Sequence, residues 1–558
     1  MEKPRFRVNA RGDVTPLSAS AFSVIGTNTK RDAERHDIPE FSGWRPNLRF
    51  AGTSNAGDMH TILGRARDLD ENNGWINAGL DRRVESVVGV NIRLSAQPVH
   101  SLLNRDFKWR MGWTALVQDR FRVWANDIEH RNDAKRRLTF GAQAKLAYLT
   151  YMRDGEIAAE IRDSKRGLRN TTNVLLVEPE RISHPQDRGL VESPFLRNGV
   201  EFDADGAPVA YWVRSGHPND PYQSFNQMRW DRIPARGRTG RAKFLHIFSP
   251  RRVEMNRGIS RLAETMIPAK MLDRVDRAEV QAALKAAIFS LFIKSPGTTD
   301  DIESMLAPTG TDEEVDPWIR EYIGLRENAP VRVDAASVTH LLPGEDVVTP
   351  DSPHPNSNYR DFATFILQKL AGSIGVATPQ ISGDYSGINY SSARAMLNEI
   401  WRSFLEDRHY FTQHFLTPIY AAWLEVEVAL GDVKVPGGPI NFYRNKTAIC
   451  MAEWIGPGRG SVDPLKESSA NNQDAAAGRA STIEHILERG RDPADVLSEE
   501  AFWRDERLKR GLPVPNYNVK AADAAGADQS GAAGGGTADD RGGDGKPQED
   551  ARKKKVAA

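Results

Sequence analysis

Twelve histidines, one cysteine and 75 acidic residues are the raw material for chemistry in this chain, and their spacing decides what they can do. No Gly-x-x-x-x-Gly-Lys-[Ser/Thr] loop is present to cradle phosphates, and neither a Gly-x-Ser-x-Gly nucleophile elbow nor a His-Glu-x-x-His zinc pair occurs. Gly456-Pro457-Gly458-Arg459-Gly460 has the glycine density of a nucleotide loop. A proline sits inside it and no strand–helix unit surrounds it, so it reads as a turn. Asp203 and Asp205 are spaced like the first ligands of a calcium loop, but the further carboxylates and the closing glutamate are missing. With Gly206 they read instead as a hairpin turn. His184, His217, His246 and His340 each stand alone beside strand or turn signals. A catalytic imidazole needs a positioned partner, so these are expected to be ordinary polar or core residues. Cys450, being alone, excludes an intramolecular disulfide and a cysteine zinc site. The expectation is no catalytic residue, no metal and no cofactor.

Composition narrows the class further. At 39% hydrophobic and 27% charged residues the chain is globular, and 558 residues allow roughly three or four domains. Lys+Arg and Asp+Glu are equal at 75 each. A dedicated duplex-DNA binder carries a basic excess, because its affinity comes from neutralised phosphates. Any DNA this chain meets is therefore not gripped by net charge. Met1–Ala10 lacks the apolar stretch of a secretion signal. Ala282–Ile293, the most apolar run, is short and broken by Lys285 and Ser290. A membrane span needs about 18 residues, so no membrane is expected.

The elements that would position any site read as a mixed, mainly helical chain. Residues 1–59 are polar and largely irregular. Thr61–Leu80 is expected as one helix, continued by Leu80–Val90 before a switch to strand at Val90, Ile92 and Leu94. Two tryptophan-rich helices lie between Ser101 and Ala147. β signals follow: Tyr148–Arg153, Glu156–Arg162, Asn173–Glu178, Gly199–Phe202, Ala207–Arg214 and Lys243–Phe248. Ser260–Lys294 reads as a long helix kinked at Pro268, and Tyr359–Gly372 as another. Val376–Tyr390 is a loop dense in Gly, Ser and Asp. Ser391 or Ser392 then caps a helix from Ala393 to Leu430 that Pro418 should bend. Asp463–Leu512 is helical with breaks at Gly490 and Pro493, and the tail past Val519 has almost nothing apolar, the composition of disorder.

Six segments together resemble the lambda family of phage portal proteins. They are Arg65-Ala66-Arg67-Asp68-Leu69 with Asn72-Asn73 and Val87-Val88-Gly89-Val90; Phe121-x-x-Trp124 followed by Tyr148–Ile161; and Gly199-Val200-Glu201-Phe202-Asp203 with Asp205-Gly206-Ala207-Pro208. Further along are His246-Ile247-Phe248 with Pro250-Arg251-Arg252 and Arg257-Gly258-Ile259-Ser260; Asp384-Tyr385-Ser386 with Asn389-Tyr390-Ser391-Ser392-Ala393-Arg394; and Asp463-Pro464-x-Lys466-Glu467 with Arg489-Gly490-x-Asp492. Their order holds from about residue 60 to 512, and six in register make coincidence a poor account.

The resemblance implies an α+β fold of portal architecture: a wing at 60–259 with a return at 393–462, stem helices at 260–294 and 358–375, a clip at 295–357, a tunnel loop at 376–391, a helical crown at 463–515 and a tail at 516–558. It implies a homo-oligomeric ring of twelve subunits, closed by head-to-tail contacts, at one capsid vertex of the virion, with the chain made in the host cytoplasm. The ring would conduct double-stranded DNA in packaging and ejection. It would meet the terminase large subunit, the major capsid protein and later the head–tail connector or adaptor proteins. Balanced charge suits such a channel, since each phosphate contact adds drag. A flat ring subunit would also bury its tryptophans between neighbours.

Asp384, Tyr385, Ser386, Asn389 and Tyr390 would form the loop tip facing DNA; the plain alternative is a turn that caps the next helix. Arg394 would pair with a carboxylate of the loop or of a neighbouring subunit, or stand as a solvated arginine. In the clip, Asp312, Glu313, Glu314, Asp316 and Trp318 would dock the packaging motor; a solvated acidic face is the alternative. The competing readings are another virion ring or scaffold component and a hydrolase with an unfamiliar site.

Overall fold

A computed structural model describes residues 6–8, 14–16, 43–44, 46–52, 58–164, 171–186, 193–222, 228–288, 292–294, 346–348, 359–460 and 464–515. Two short strands, β1 (Phe6–Val8) and β2 (Val14–Pro16), pair antiparallel near the start. Helices α1 (Met59–Asn72) and α2 (Gly74–Val87) follow where a single helix was expected. Asn72-Asn73-Gly74 is a poor helical run, and the Asn73 side chain accepts from the amide of Ile76 at 3.0 Å, so it opens a second helix. Strand β3 (Arg93–Ala96) takes its partner from far along the chain, β13 (Ala452–Ile455), with Leu94 opposite Trp454.

Helix α3 (Phe107–Ala125) is capped by Asp106, and α4 (Phe140–Asp154) by Thr139. Tyr148–Arg153, expected as a strand, forms the last turns of α4. Phe140, Ala144, Ala147, Tyr148 and Tyr151 recur at helical spacing and are all buried, so the period of 3.6 overrides the aromatic β signal. The helix stops at Gly155, whose φ of +90° an L side chain resists. A Cβ there would also collide with the backbone of Ile259.

The β region forms two antiparallel sheets. One has the order β10 (Phe244–Phe248), β4 (Glu156–Ser164), β5 (Thr171–Val177). The other runs β6 (Leu196–Arg197), β7 (Val200–Phe202), β8 (Pro208–Arg214), β9 (Trp230–Pro234). The β7–β8 connection is the expected hairpin: one oxygen of Asp203 accepts from the amides of Asp205 and Ala207 at 3.0 and 2.8 Å.

A 3₁₀ turn (Arg261–Glu264) leads into α5 (Met266–Ile288). The expected helix to Lys294 ends short, because β11 (Phe292–Lys294) pairs antiparallel with β12 (Asp346–Val348). Pro268 lies in the first turn, where its missing N–H has no partner to lose. The clip residues Asp312 to Trp318 and the expected strands at 330–342 lie outside the described residues. Helix α6 (Tyr359–Ile374) packs on α5, with the Tyr359 hydroxyl 2.6 Å from Asp276.

The expected loop 376–390 contains a short helix, α7 (Thr378–Ser382), held by a Gln380 side chain that accepts from the amide of Ala377 at 2.9 Å. Helix α8 (Tyr390–Phe411) continues through a π turn (Thr412–Leu416) into α9 (Thr417–Ala429). The cap is Asn389 rather than Ser391 or Ser392; its side chain accepts from the amide of Ser392 at 2.8 Å. The wide turn just before Pro418 re-registers the carbonyls that a proline cannot satisfy. Two short helices, α10 (Gly438–Arg444) and α11 (Lys446–Ile449), precede β13. Helices α12 (Pro464–Ala476), α13 (Thr482–Glu488) and α14 (Pro493–Lys509) end the described chain.

The main core gathers α2, α3, α4, α6, α8 and α9 around an aromatic cluster. Phe121 meets Trp423 and Trp124 at ring separations of 5.1 Å, and Phe140 edge-on at 5.4 Å. Such pairs add about 0.5–1.5 kcal/mol beyond the area they bury. Trp113, Trp124, Trp212, Trp230, Trp423 and Trp454 are buried within this one chain. That corrects the expectation of tryptophans held between neighbours: their rings complete the subunit's own core. Among the described residues Trp44 and Trp503 remain well exposed.

Candidate functional site

The loop between α7 and α8 holds the residues singled out in the sequence. Asp384 anchors it: one carboxylate oxygen accepts from the Ser386 amide at 3.0 Å and from the Ser386 hydroxyl at 2.5 Å, and the other pairs with Arg360 on α6 at 3.2 Å. The Ser386 side-chain hydrogen bond, then its amide, then Arg360 hold this exposed carboxyl below its ordinary range. The amide of Ile388 donates to Tyr385 O at 3.2 Å, closing a tight turn, and Tyr385 is exposed at its tip. Asp384, Tyr385, Ser386 and Asn389 thus share one solvent-facing turn. Tyr390 is the first residue of α8, and Arg394 lies one turn on, exposed, with no hydrogen bond or ion pair to a described residue. The expected pairing of Arg394 with a loop carboxylate is not made within the chain; Arg360 takes that place on Asp384. The helix cap and the exposed tip coexist, since Asn389 does the capping and leaves Tyr385 free.

Beneath the loop lies a buried node that the sequence reading passed over. Arg83, fully buried on α2, donates to Gly375 O at 2.5 Å, to Ser403 Oγ at 3.1 Å and to Asp407 Oδ2 at 2.5 Å. The same oxygen of Asp407 accepts from the Tyr148 hydroxyl at 3.0 Å and lies 3.4 Å from Arg261. Burial first, reinforced by the Asp407 charge, pushes the Tyr148 phenol far above its ordinary range, so it stays a donor. A second node joins the sheets. Glu156, fully buried, accepts from Arg257 at 2.5 Å, from the Gly258 amide at 2.7 Å and lies 3.0 Å from Nε2 of His246. Burial alone would raise this carboxyl; the charges of Arg257 and then His246 overcome it and hold it at about 2. His246 therefore has a partner, as does His217, 2.9 Å from Glu180.

Glu178, Glu180 and His217 bring three donor atoms within 4.8 Å of one another. Both oxygens of Glu180 already accept from the Arg67 guanidinium, at 2.6 and 2.8 Å, so a cation's place is taken by an arginine. An open cleft of about 700 Å³ is lined by Asp119, Arg120, Val123, Trp124, Asp127 and Glu427. Two of its acids are ion-paired, Glu427 to Arg120 at 2.9 Å and Asp127 to Arg131 at 2.6 Å. Gly456–Gly460 is a structural turn: the Arg408 guanidinium donates to Pro457 O at 3.0 Å, and Gly458 packs against the backbone of Arg489. No described helix is long and apolar enough to cross a membrane.

These features describe a chain braced by buried ion pairs and presenting a polar loop. The sequence model of the lambda family of phage portal proteins matches residues 38–408. The portal protein of Escherichia phage N15 is 27% identical over 492 residues, which is 87% of this chain and 91% of that one. Portal protein B of Escherichia phage lambda is 27% identical over 462 residues, 82% of this chain and 86% of its own. A probable portal protein of a Halomonas phage is 26% identical over 503 residues. The chain belongs to the lambda family of phage portal proteins. Two solved structures, a virion and a neck of a native gene transfer agent particle, align with TM-scores of 0.40 and 0.41 at 15% and 16% identity. They cover 78% and 79% of this chain and 94% and 95% of their own.

Proposed function

We propose that copies of this chain close into a ring at one capsid vertex, through which double-stranded DNA is packaged and later ejected. The observation that carries the reading is the family match, whose span of residues 38–408 takes in both stem helices, the loop 383–389 and nearly all of α8. Exposed apolar residues on the stem, Ile267, Met271 and Phe365, suit burial between copies. The last three helices support assembly in the same way: no residue within α12, α13 or α14 is buried, and Leu497, Phe502 and Trp503 face solvent. Apolar surface of that kind is removed from water on association.

In this reading α5 and α6 are the stem, α12 to α14 the crown, and the loop of Asp384, Tyr385 and Ser386 faces the channel. Short polar side chains there let DNA slide, and balanced charge avoids a static grip. The clip, with Glu313 and Glu314, docks the terminase large subunit and then the connector proteins; the major capsid protein is a further partner. The ring has twelve subunits, and its place is the virion. The chain works as a structural conduit rather than an enzyme. Electron microscopy of the purified full chain, class-averaged from above and from the side, tests this. Rings with a channel wide enough for duplex DNA are expected; monomers or filaments without a channel, across salt and concentration, overturn it.

A further inference from the structure

We infer that Arg83 and Asp407 are positioning residues for the channel loop: they tie the chain on both sides of it to the wing through one buried polar cluster, set beside the apolar packing of Ile374 and Ile381 on α2. The part of this inference that concerns DNA rests on the portal reading; the coupling itself does not. Four observations carry it. First, among the described residues Arg83 is the one guanidinium that reaches both flanks of the loop, Gly375 just after α6 and Ser403 and Asp407 on α8. Second, Arg83 has no exposure while Asp407 keeps a little, so solvent does little to weaken the pair. Third, Gly375 has a φ of +79°, and a Cβ there would run into the Arg83 guanidinium, so the backbone and the arginine are fitted to each other. Fourth, Asp407 Oδ2 also gathers Tyr148 of α4 and Arg261 of the turn before α5. Asp407 Oδ2 and Arg83 together therefore tie the wing, the turn before the first stem helix, the end of the second and the helix behind the loop.

The loop itself has little else to hold it. Its one ion pair to another element among the described residues, Arg360 to Asp384, joins two exposed side chains, a kind of contact that contributes little. Residues 383–389 include no buried side chain. Its height in the channel is thus set at its roots. Releasing the roots frees the loop without removing any residue that faces DNA.

The experiment is hydrogen–deuterium exchange on the full chain, wild type against Ser403→Ala, Arg83→Lys and Asp407→Asn, with DNA packaging measured on the same variants. Ser403→Ala removes one bond from the node and keeps the charge pair, so it reports even if Asp407→Asn folds poorly. The expected result is graded: exchange over 375–389 rises a few-fold in Ser403→Ala and at least tenfold in Asp407→Asn, while β4, β5 and α9 keep wild-type protection. Arg83→Lys falls between them, because the charge is kept and the fork is lost. Packaging falls in the same order. Unchanged exchange over 375–389 in Ser403→Ala and Arg83→Lys overturns the inference, and so does a rise spread evenly over α2, α4 and α9. Graded, selective exchange in a protein that never forms rings supports the coupling and overturns the portal reading instead.

Discussion

Replacing Glu156 with glutamine tests how the wing is held together. The side chain is fully buried and keeps its shape, but it loses the charge that faces Arg257 at 2.5 Å and His246 at 3.0 Å. Arg257 would keep its bonds to Pro179 O and Ile182 O, both at 2.8 Å, and be left as a buried cation without an anion. Removing one partner of a buried pair costs about 3–5 kcal/mol. The carboxyl gives an independent figure: held at about 2 against an ordinary 4.5, it corresponds to roughly 3 kcal/mol at about 1.4 kcal/mol per tenfold. Because the folded pKa is depressed, this stability is present above pH 4.5 and is lost as pH falls from there toward 2. Urea denaturation of wild type and Glu156→Gln at pH 7 should therefore differ by about 3–4 kcal/mol with unchanged slope. The gap should close as the pH approaches 2. A loss under about 1 kcal/mol at pH 7, or a gap that persists in acid, would refute the reasoning.

Further perturbations probe other parts of the molecule. Deleting Asp384 to Asn389 should leave rings visible by microscopy but block DNA packaging; normally filled capsids would remove the loop from the channel. Reversing the charge of Glu313 and Glu314 together should abolish co-sedimentation of the purified ring with the terminase large subunit, and undiminished binding would return that acidic run to a solvated face. Asn389→Ala removes the cap of α8, whose side chain accepts from the Ser392 amide at 2.8 Å. It should cost about 1 kcal/mol, read as a lower urea midpoint, with Asn389→Ser recovering most of it. Gly155→Ala places a Cβ against the Ile259 backbone at a φ of +90°. Strain and clash together should cost at least about 3 kcal/mol, and a wild-type denaturation curve would show that the α4–β4 junction can yield.

Much of this architecture is written locally. Asp203 and Gly206 specify their hairpin wherever it lies, and the spacing of Leu80, Val84 and Val87 specifies a helix with one apolar face. The six segments that resemble portal proteins are likewise a property of the chain alone, and the family they point to is the one whose sequence model matches residues 38–408. The errors also have local causes. Tyr148 to Arg153 has strand-like residues at helical spacing, and the deciding contact is burial against Phe411, which lies far along the chain. Asn389, not the serines after it, caps α8 because the helix starts one turn earlier than the apolar stripe does.

The node of Arg83 and Asp407 was half legible. Arg83 falls in line with Ile76, Leu80 and Val87, and Asp407 falls in line with Ile400, Phe404 and Phe411, so each interrupts an apolar stripe at a position that must turn inward. A charge at such a position needs a partner, because burying it alone costs too much. The sequence thus placed both side chains on inward-turning stripes, where each must be answered. That they answer each other, across 324 residues, was decided only when α2 and α8 packed side by side. Periodicity acts along one helix, whereas ion pairing depends on which helices meet, and that choice belongs to the whole core.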